Sequence, residues 1–481
     1  MSESRGLVGK VGLVGLTNII ARINLILLVP ILTKTLPLEE YGVWVIITAT
    51  IGLIPPAAML GLRTSIVRFI PAENDKKRIQ NIFYSIAVMV IISSGAVSLF
   101  ILVISNTLST IMLKNDIVIV YGLAVICFLE ALFFLCTDLF RSLLKIKKYS
   151  ILTIWKNMLN LILVGILVFN GYGIIGALLG LVISGMVSTL IAYFLVVSEI
   201  GIRKPDMARA KEFLCFSLPT VPSSLSSWLV RSSDRYIIGI FLGAAFVGYY
   251  SPAYTMGDFI MMFVAPMSFV LYPAIAKFHD ENKMHEVKKA LSNSVKYFLS
   301  IAIPSVFGLS LLSFPLLNII STYEIASNGY YITPIVSVAS LILGLFSIYS
   351  IILITKKRTK LIGGIWILAA LLNIGLNLVL IPAIGIFGAA LTTLLAFSIS
   401  TILVIHYSRK SVKFSIDYNM ITKAIIASLL MSIVLVLWRT TNLVEVILEI
   451  ILCACIYIAL MFLMRGFGRK EIELVTDLFN K

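Results

Sequence analysis

Apolar runs, most of them about 20 residues or longer, recur along this chain from its N-terminal region to its last helix-length segment. An α-helix rises about 1.5 Å per residue, so a run of about 20 residues crosses the hydrocarbon core of a bilayer. Of the 481 residues, 59% are hydrophobic and 13% are charged, and the longest hydrophilic stretch, 277–296, is too short for a soluble domain. The pattern predicts an all-α polytopic membrane protein without an extramembrane catalytic module.

The apolar runs predict about 14 transmembrane helices. They fall at roughly 10–33, 41–62, 81–105, 117–140, 151–170, 173–198, 213–241, 245–276, 297–320, 330–354, 361–381, 385–407, 421–438 and 443–464. The hydrophilic stretch between spans 8 and 9 is expected to form a separate basic helix on the membrane surface.

Basic residues are concentrated in alternate loops. The net charge of +16 would suit a nucleic-acid partner if it formed one patch. With the N-terminus inside, however, 33 of the 39 Lys and Arg residues lie in or beside the cytoplasmic segments, and the outer loops hold only Lys34, Lys114 and Arg439. This asymmetry follows the positive-inside rule. It predicts cytoplasmic N- and C-termini and contact with anionic membrane lipids, and it argues against a nucleic-acid partner.

The chain repeats itself with a period of a little over 200 residues. Four features of the first half return in the second half in the same order: LPLEEYGVW (36–44) as LGAAFVGYY (242–250), Lys147 as Lys357, Trp155 as Trp366, and GIIGALLG (173–180) as GIFGAALT (385–392). Their separations are 206, 210, 211 and 212 residues. Spans 1 to 6 and spans 7 to 12 are therefore interpreted as two copies of one bundle.

The repeat predicts the domain organisation. It consists of an N-terminal six-helix bundle at 1–199, a C-terminal six-helix bundle at 213–407, transmembrane helices 13 and 14 at 420–464, and a cytoplasmic tail at 465–481. Each copy has an even number of spans, so the copies share an orientation and an axis along the membrane normal. A central cavity between them is the expected place for a substrate. The glycines of the last repeated motif predict close helix packing.

Four stretches carry a resemblance to a known family: TKTLPLEEYGVW (33–44), LGLRTSIVRFIP (60–71), DRYIIGIFLGAAFVGYYSPAYTM (234–256) and GIFGAALTT (385–393). Over the whole chain they resemble the polysaccharide transport flippases, the O-antigen or oligosaccharide flippase type of the multidrug/oligosaccharidyl-lipid/polysaccharide exporter superfamily. The resemblance implies a transporter, not an enzyme, in the cytoplasmic (plasma) membrane of a prokaryote. Its implied activity is outward movement of a polyprenyl-pyrophosphate-linked oligosaccharide by alternating access, with glycan-assembly proteins as partners.

Charged side chains within span 7 are the first candidates for a substrate site. Arg231 and Arg235 are four residues apart and Asp234 is three residues from Arg231, so all three lie on one side of a helix. A central Arg facing lipid would cost about 3 kcal/mol, so this side is expected to face protein or a wet cavity. A guanidinium there can hold a phosphate by paired hydrogen bonds. The structural alternative is that Asp234 neutralises Arg231 or Arg235 as an ion pair.

Spans 1 and 2 supply further cations. Arg22 lies near the midpoint of span 1, with Asn18 one turn below it. Together with Arg231, Arg22 predicts a cationic lumen that suits an anionic pyrophosphate. Arg63 and Arg68 lie at the cytoplasmic end of span 2, where a substrate loaded from inside would arrive. The alternative is that Arg63 and Arg68 are ordinary positive-inside anchors.

Acidic residues within spans are the candidates for ion coupling. They are Glu130 and Asp138 in span 4 and Asp258 in span 8. A buried carboxylate can exchange a proton as its surroundings change, so these groups predict coupling of transport to an H⁺ or Na⁺ gradient. The alternative is a structural partner for Arg22 or Arg231. The five cysteines have no CxxC spacing, and no metal or other cofactor is expected.

Other functions would require features of different kinds. A lipid II flippase shares the fold, the topology and the pyrophosphate chemistry, so it stays an alternative. A multidrug exporter of the same superfamily would need an apolar or anionic lumen for cationic drugs. A major facilitator would have a longer loop between its halves than the one near 200–212. An oligosaccharide polymerase or glycosyltransferase would need a large outer loop or a DxD site, and the sequence has neither.

The charge pattern generates a test of topology. Single cysteines at Asn328 and Asn442 should react with a membrane-impermeant maleimide in intact cells, because both positions lie in predicted outer loops. Cysteines at Lys147 and Lys357 should react only after permeabilisation. Labelling of either pair from the opposite side would contradict the 14-span topology.

Overall fold

The computed structural model describes residues 2–112, 116–438 and 442–466. Across these ranges 14 helical segments are long and apolar enough to span a membrane, so the predicted all-α fold class with about 14 spans is confirmed. The α-helices are α1 Ser2–Thr35, α2 Leu38–Ala58, α3 Leu62–Phe69, α4 Lys76–Val103, α5 Ser105–Met112, α6 Ile117–Ser142, α7 Ile146–Phe169, α8 Gly173–Ile200, α9 Ala210–Ser217, α10 Val221–Phe241, α11 Ala244–Gly257, α12 Val264–Asp280, α13 Met284–Leu311, α14 Ser313–Ile320, α15 Tyr323–Gly329, α16 Ile332–Thr355, α17 Thr359–Ile384, α18 Ile386–Ser411, α19 Tyr418–Leu437 and α20 Leu443–Leu463.

By their internal contacts the residues form two compact units, Met1–Gly248 and Tyr249–Lys481. The first unit contains α1 to α10 and the beginning of α11, and the second contains the rest. The bundle boundaries inferred from the repeat, and the axis relating the two copies, stay predictions. Of the predicted cytoplasmic tail, residues 467–481 lie outside the described residues.

Spans 7 and 8 are interrupted helices. Span 7 runs over Met207–Phe241 and changes from α9 to α10 through a 3₁₀ turn at Leu218–Thr220. Proline removes a backbone donor, and Pro219 lies within this turn. Span 8 runs over Ala244–Asp280, and six residues of 3₁₀ helix, Asp258–Phe263, separate α11 from α12. A 3₁₀ stretch within a helix commonly marks a hinge.

The hydrophilic stretch 277–296 does not form a separate surface helix, so that prediction is wrong. Its first residues complete α12, which ends at Asp280, and its later residues begin α13 at Met284. The apolar period of span 9 continues backward into this stretch. Val287 and Leu291 are buried, and they hold the start of α13 as part of the same helix.

The corner after span 2 places a short helix beside α9. Gly61 has φ of +71°, and a Cβ at this position would lie 2.6 Å from the carbonyl oxygen of Ser217. The Ser65 hydroxyl donates to the carbonyl of Phe213 at 3.0 Å and lies 2.7 Å from the Ser217 hydroxyl. Helix α3 is therefore fixed to α9, and span 2 ends at Ala58 instead of residue 62.

Two of the echoed sequence segments contact each other reciprocally within the first unit. A Cβ on Gly42 would lie 1.8 Å from the carbonyl oxygen of Ala244, and a Cβ on Gly248 would lie 3.0 Å from the carbonyl oxygen of Leu38. Leu38 and Gly42 match Ala244 and Gly248 at the 206-residue separation of the repeat. A reciprocal contact of this kind is the one that two equivalent segments make across a two-fold relation.

The last repeated motif forms a tight helix pair in each unit. In the pair α7 and α8, a Cβ on Gly180 would lie 2.8 Å from the backbone nitrogen of Val164. In the pair α17 and α18, a Cβ on Gly388 would lie 2.5 Å from the carbonyl oxygen of Leu380. The predicted close packing at these glycines is confirmed, and it is the small-residue contact typical of membrane helices.

The glycine contacts predict a strong position dependence of Gly→Ala substitution. Gly42→Ala and Gly388→Ala should each destabilise the protein by about 1–3 kcal/mol or more, because the added methyl meets backbone atoms that cannot move alone. Gly375→Ala is the matched control, since a Cβ at this helical glycine has no neighbour within 4 Å. The measurement is thermal unfolding in detergent at matched protein concentration. Equal midpoints for Gly42→Ala and Gly375→Ala would contradict the close contact.

Candidate functional site

Arg235 and Asp234 form an ion pair on the polar side of α10. Arg235 donates from Nη1 to the Asp234 carboxylate at 3.0 Å, and the same nitrogen donates to the carbonyl of Arg231 at 2.8 Å. Asp234 is 1% exposed, and its carboxylate also accepts from the backbone N–H of Arg235 at 2.9 Å. Of the two structural alternatives in the sequence, the structure therefore selects the pairing of Asp234 with Arg235.

Arg231 differs from its neighbour. Its side chain is partly buried, and within the described residues its guanidinium makes no hydrogen bond or ion pair. A guanidinium without a carboxylate keeps its five N–H donors for water or for an anion. Of the two arginines of α10, Arg235 is paired with a carboxylate and Arg231 is not, within the described residues.

Helix α10 contacts α2 through a pair of hydroxyl groups, and Tyr236, which makes this contact, also packs on another ring of α10. The hydroxyls of Thr50 and Tyr236 lie 2.7 Å apart. The rings of Trp228 and Tyr236 meet edge to face with centroids 5.8 Å apart. The Thr50–Tyr236 contact fixes the side of α10 that faces α2.

The span-1 candidates lie on α1. The backbone of this helix is described over Asn18 and Arg22, but both side chains lie outside the described residues. Their part in a cationic lumen stays a prediction.

Arg63 is bound to a carboxylate that the sequence did not suggest as its partner. Its Nε and Nη2 donate to the two oxygens of Asp138 at 2.6 and 3.1 Å, and its guanidinium lies 4.7 Å from the centroid of the Phe134 ring. Asp138 is 1% exposed. This bidentate pair ties α3 to α6. Arg68, on the same short helix, is exposed and makes no ion pair within the described residues.

Glu130 forms a buried ion pair with Lys156. The Lys156 ammonium donates to the Glu130 carboxylate, and both side chains are less than 10% exposed. The ammonium also lies 4.2 Å from the centroid of the Phe133 ring. Glu130 is near the middle of α6, and Lys156 is about three turns into α7. The pair therefore joins two consecutive spans deep in the membrane region.

The assignment of basic residues to loops is wrong for Lys156. It places this residue among the cytoplasmic charges beside Lys147 and Lys148, whereas Lys156 lies inside α7. Its position directly after Trp155, within an apolar span, is the sequence signal that indicates a place inside the membrane. In the second copy of the repeat the matching tryptophan, Trp366, is followed by Ile367. The tight helix pair of the second unit thus packs without a lysine here.

Asp258 lies at the first residue of the 3₁₀ stretch in span 8. It is partly buried, and the Ser340 hydroxyl of α16 lies 3.4 Å from its Oδ1. The preceding glycine packs on the same helix, because a Cβ on Gly257 would lie 2.9 Å from the carbonyl oxygen of Thr333. The carboxylate therefore sits at a helix break against α16, where a hinge would move it.

A buried acidic residue inside a span escaped the sequence reasoning. Glu449 of α20 is fully buried. It lies in a span of high hydropathy outside the repeat, where only a count of every carboxylate within the apolar runs would have found it. In the parts of the chain that the structure describes, no group of three or more His, Cys, Asp or Glu residues is arranged to hold a metal ion.

Comparison of sequences places the chain in a family. The family described as "Polysaccharide biosynthesis protein" matches residues 7–279. The chain is 29% identical over 266 residues to the "Probable low-salt glycan biosynthesis flippase Agl15" of Haloferax volcanii, covering 55% of this chain and 56% of that one. It is 28% identical over 194 residues to the "Probable flippase AglR" of the same organism, covering 39% of each chain. The chain spans about half the length of the curated relatives it matches, or less.

Solved structures show the same fold at low sequence identity. The "Lipid II flippase MurJ, inward closed conformation" superimposes with a TM-score of 0.78 at 16% identity, covering 94% of this chain and 98% of that one. A multidrug resistance MATE family transporter of the MOP superfamily, in an inward-facing conformation, superimposes with a TM-score of 0.72 at 16% identity, covering 81% of this chain and 94% of that one. The resemblance found in the sequence is thereby confirmed, and the chain belongs to the polysaccharide biosynthesis protein family, with the fold of the MOP superfamily.

Proposed function

We propose that this protein is a flippase that moves a polyprenyl-pyrophosphate-linked oligosaccharide outward across the cytoplasmic membrane of a prokaryote. In this proposal it is a transporter and not an enzyme, its termini lie in the cytoplasm, and glycan-assembly proteins supply and remove its substrate. Family membership and the similarity to a probable glycan biosynthesis flippase of Haloferax volcanii support the class of substrate.

The observation that carries the proposal is the difference between the two arginines of α10. Arg235 is neutralised by Asp234, whereas Arg231 keeps its donors. A pyrophosphate offers oxygens at the spacing of a guanidinium fork, and such contacts combine charge with paired hydrogen bonds. Arg231 is assigned to bind the pyrophosphate, and Arg235 is a positioning residue that shapes the same side of α10.

A lipid II-type flippase is the second candidate, because MurJ has the same fold over nearly the whole chain. Both substrates present a pyrophosphate on a polyprenyl chain, so Arg231 would serve either one. They differ in the attached sugar and peptide. A multidrug exporter is the weaker candidate, since a free guanidinium in a span repels the cationic drugs that such an exporter would carry.

The ion-coupling part of the proposal rests on the buried pair of Glu130 and Lys156 and on Asp258. A buried ion pair is costly to form compared with apolar packing, and the second copy of the repeat does without the lysine. We assign the pair to coupling with an H⁺ or Na⁺ gradient, with Asp258 as a second coupling group at the helix break. Asp138 has a structural role in this scheme, because it holds Arg63 in a bidentate contact.

Replacing Arg231 tests the substrate assignment. Hydrogen bonds to charged groups contribute about 1.5–3 kcal/mol each, so Arg231→Ala should lower the transport rate at low substrate concentration by roughly 10- to 100-fold. Arg231→Lys should retain part of the rate, since it keeps the charge and loses the fork. The measurement is outward movement of a lipid-linked oligosaccharide in vesicles containing equal amounts of folded protein.

Arg141→Ala is the matched control for that experiment, because Arg141 is an exposed arginine at the end of α6. Its rate should equal that of the unmodified protein. Full activity of Arg231→Ala would refute the assignment. Running the same vesicles with lipid II separates the two substrate candidates, since the cognate substrate should be moved faster at equal concentration.

Replacing one or both members of the buried pair separates structure from coupling. Glu130→Gln alone leaves Lys156 unpaired and should destabilise the protein by about 3–5 kcal/mol. The double variant Glu130→Gln, Lys156→Met should recover the folded yield. The control is Glu199→Gln at the cytoplasmic end of α8, where Lys145 and Lys148 bind a carboxylate near the surface and such pairs contribute little.

Transport by the folded double variant then decides the role of the pair. If the pair couples transport, the variant should move substrate at a rate that no longer responds to a proton or sodium gradient. Asp258→Asn should flatten the same response. An unchanged gradient response in both variants would assign these residues to structure alone.

A further inference from the structure

Two adjoining cavities lie where α13, α18 and the segment before α19 meet, at the end of the second unit that the positive-inside pattern places in the cytoplasm. The larger, of about 510 Å³, is lined by residues that include His285, Lys288, Lys289 and Lys413. The smaller, of about 410 Å³, is lined by Arg409, Lys410, Lys413 and three further residues. Lys413 lines both. We call the surface formed by Lys288, Lys289, Arg409, Lys410 and Lys413 the basic groove.

The wall of the groove is held in place by contacts on both sides. The Ser292 hydroxyl of α13 donates to the carbonyl of Ser415 at 2.7 Å. The ring of Phe414 packs on that of Tyr349 from α16, with centroids 5.1 Å apart, and Val412 between the groove and the core is buried. The segment that carries Lys413 is therefore fixed by its neighbours, and the groove does not depend on a ligand for its shape.

The cations of the groove lack carboxylate partners. No acidic residue lines either cavity, and within the described residues none of the five groove cations forms an ion pair; Lys410 lies 5.6 Å from the centroid of the Tyr407 ring. The carboxylate in the adjoining segment, Asp417, is used elsewhere: it caps α19 through the N–H of Met420 and lies 4.0 Å from Lys296. Five cations close together repel one another, and a bound anion would offset that repulsion.

An apolar strip continues from the groove toward the membrane. Ile402 and Ile405 line the smaller cavity together with Arg409, and Ile402 is 65% exposed. The three residues recur at helical spacing on α18, so isoleucine gives way to arginine along one face of the helix. A soluble anion would make no favourable contact with the isoleucines. A phospholipid presents an acyl chain and then a phosphate, which matches the order of isoleucine and arginine along the helix.

We propose that the basic groove is a site for an anionic phospholipid of the cytoplasmic leaflet. Its phosphate contacts the groove cations, and its acyl chain lies along Ile402 and Ile405. Basic pockets between transmembrane helices on the cytoplasmic side are suited to such headgroups, and each nearby cation adds to the attraction. The lipid would link the start of α13 to the end of α18. This proposal does not rest on the proposed transport activity.

The test is lipid retention by the purified full chain, measured by native mass spectrometry after addition of phosphatidylglycerol or phosphatidylcholine. The unmodified protein should retain phosphatidylglycerol in preference. The triple variant Lys288→Gln, Lys289→Gln, Lys413→Gln should lose about tenfold or more in phosphatidylglycerol affinity. The matched control is Lys356→Gln, Lys357→Gln, Arg358→Gln, which removes the same charge from the loop between α16 and α17 and should stay within about twofold.

Three outcomes would overturn the proposal. The first is equal retention by the groove variant and the loop variant, since the charge would then act without a site. The second is displacement of the lipid by millimolar inorganic phosphate, which would identify a soluble-anion site. The third is unchanged phosphatidylglycerol affinity in Ile402→Ser, which would remove the acyl-chain contact. The single variant Lys413→Gln, with an expected loss of about threefold, serves if the triple variant unfolds.

Discussion

A bilayer offers no water to a charged side chain, so every ion within a span must find a partner, a ring face or a wet surface. Three ion pairs of the first unit satisfy this constraint. Arg63 is bound by both oxygens of Asp138, Lys156 is bound by Glu130 and covered by a ring, and Arg235 is neutralised by the adjacent Asp234. These pairs offset charges that the membrane region would otherwise penalise, and within the described residues they leave the Arg231 guanidinium of α10 without a carboxylate partner.

The fold was accessible from sequence because hydropathy and small residues act locally. Fourteen apolar runs predict 14 spans, and the spacing of Gly180 and Gly388 predicts close helix pairs, since both signals need only the chain itself. The charge partners were not accessible in this way. Asp138 meets Arg63 across 75 positions of sequence, and nothing in a local pattern indicates which of several arginines lies opposite. Lys156 was missed because a count of charges by loop assigned it to the nearest basic segment.

The two copies of the repeat share some contacts and differ in others, and this difference distinguishes what helix packing requires from what one copy has in addition. Gly42 recurs as Gly248, and each copy contains a tight helix pair, at Gly180 in the first and at Gly388 in the second, because close backbone approach leaves few alternatives. The lysine of the buried pair does not recur, since Ile367 follows the second tryptophan. The two copies thus share their helix contacts, whereas the buried pair of Glu130 and Lys156 belongs to the first copy. This difference indicates that the two copies have different roles.

The position of that ion pair also bears on how the chain enters the membrane. Glu130 and Lys156 lie on consecutive spans, and only a tight turn near Lys145 separates α6 from α7. Inserting α6 or α7 into lipid by itself, with its charge unpaired, would cost about 3 kcal/mol of insertion free energy. Two helices that leave the translocon together carry a neutral pair. Biogenesis of this segment is therefore expected to proceed by hairpin: α6 waits at the lateral gate until α7 has been synthesised, and the two helices enter the bilayer as one unit.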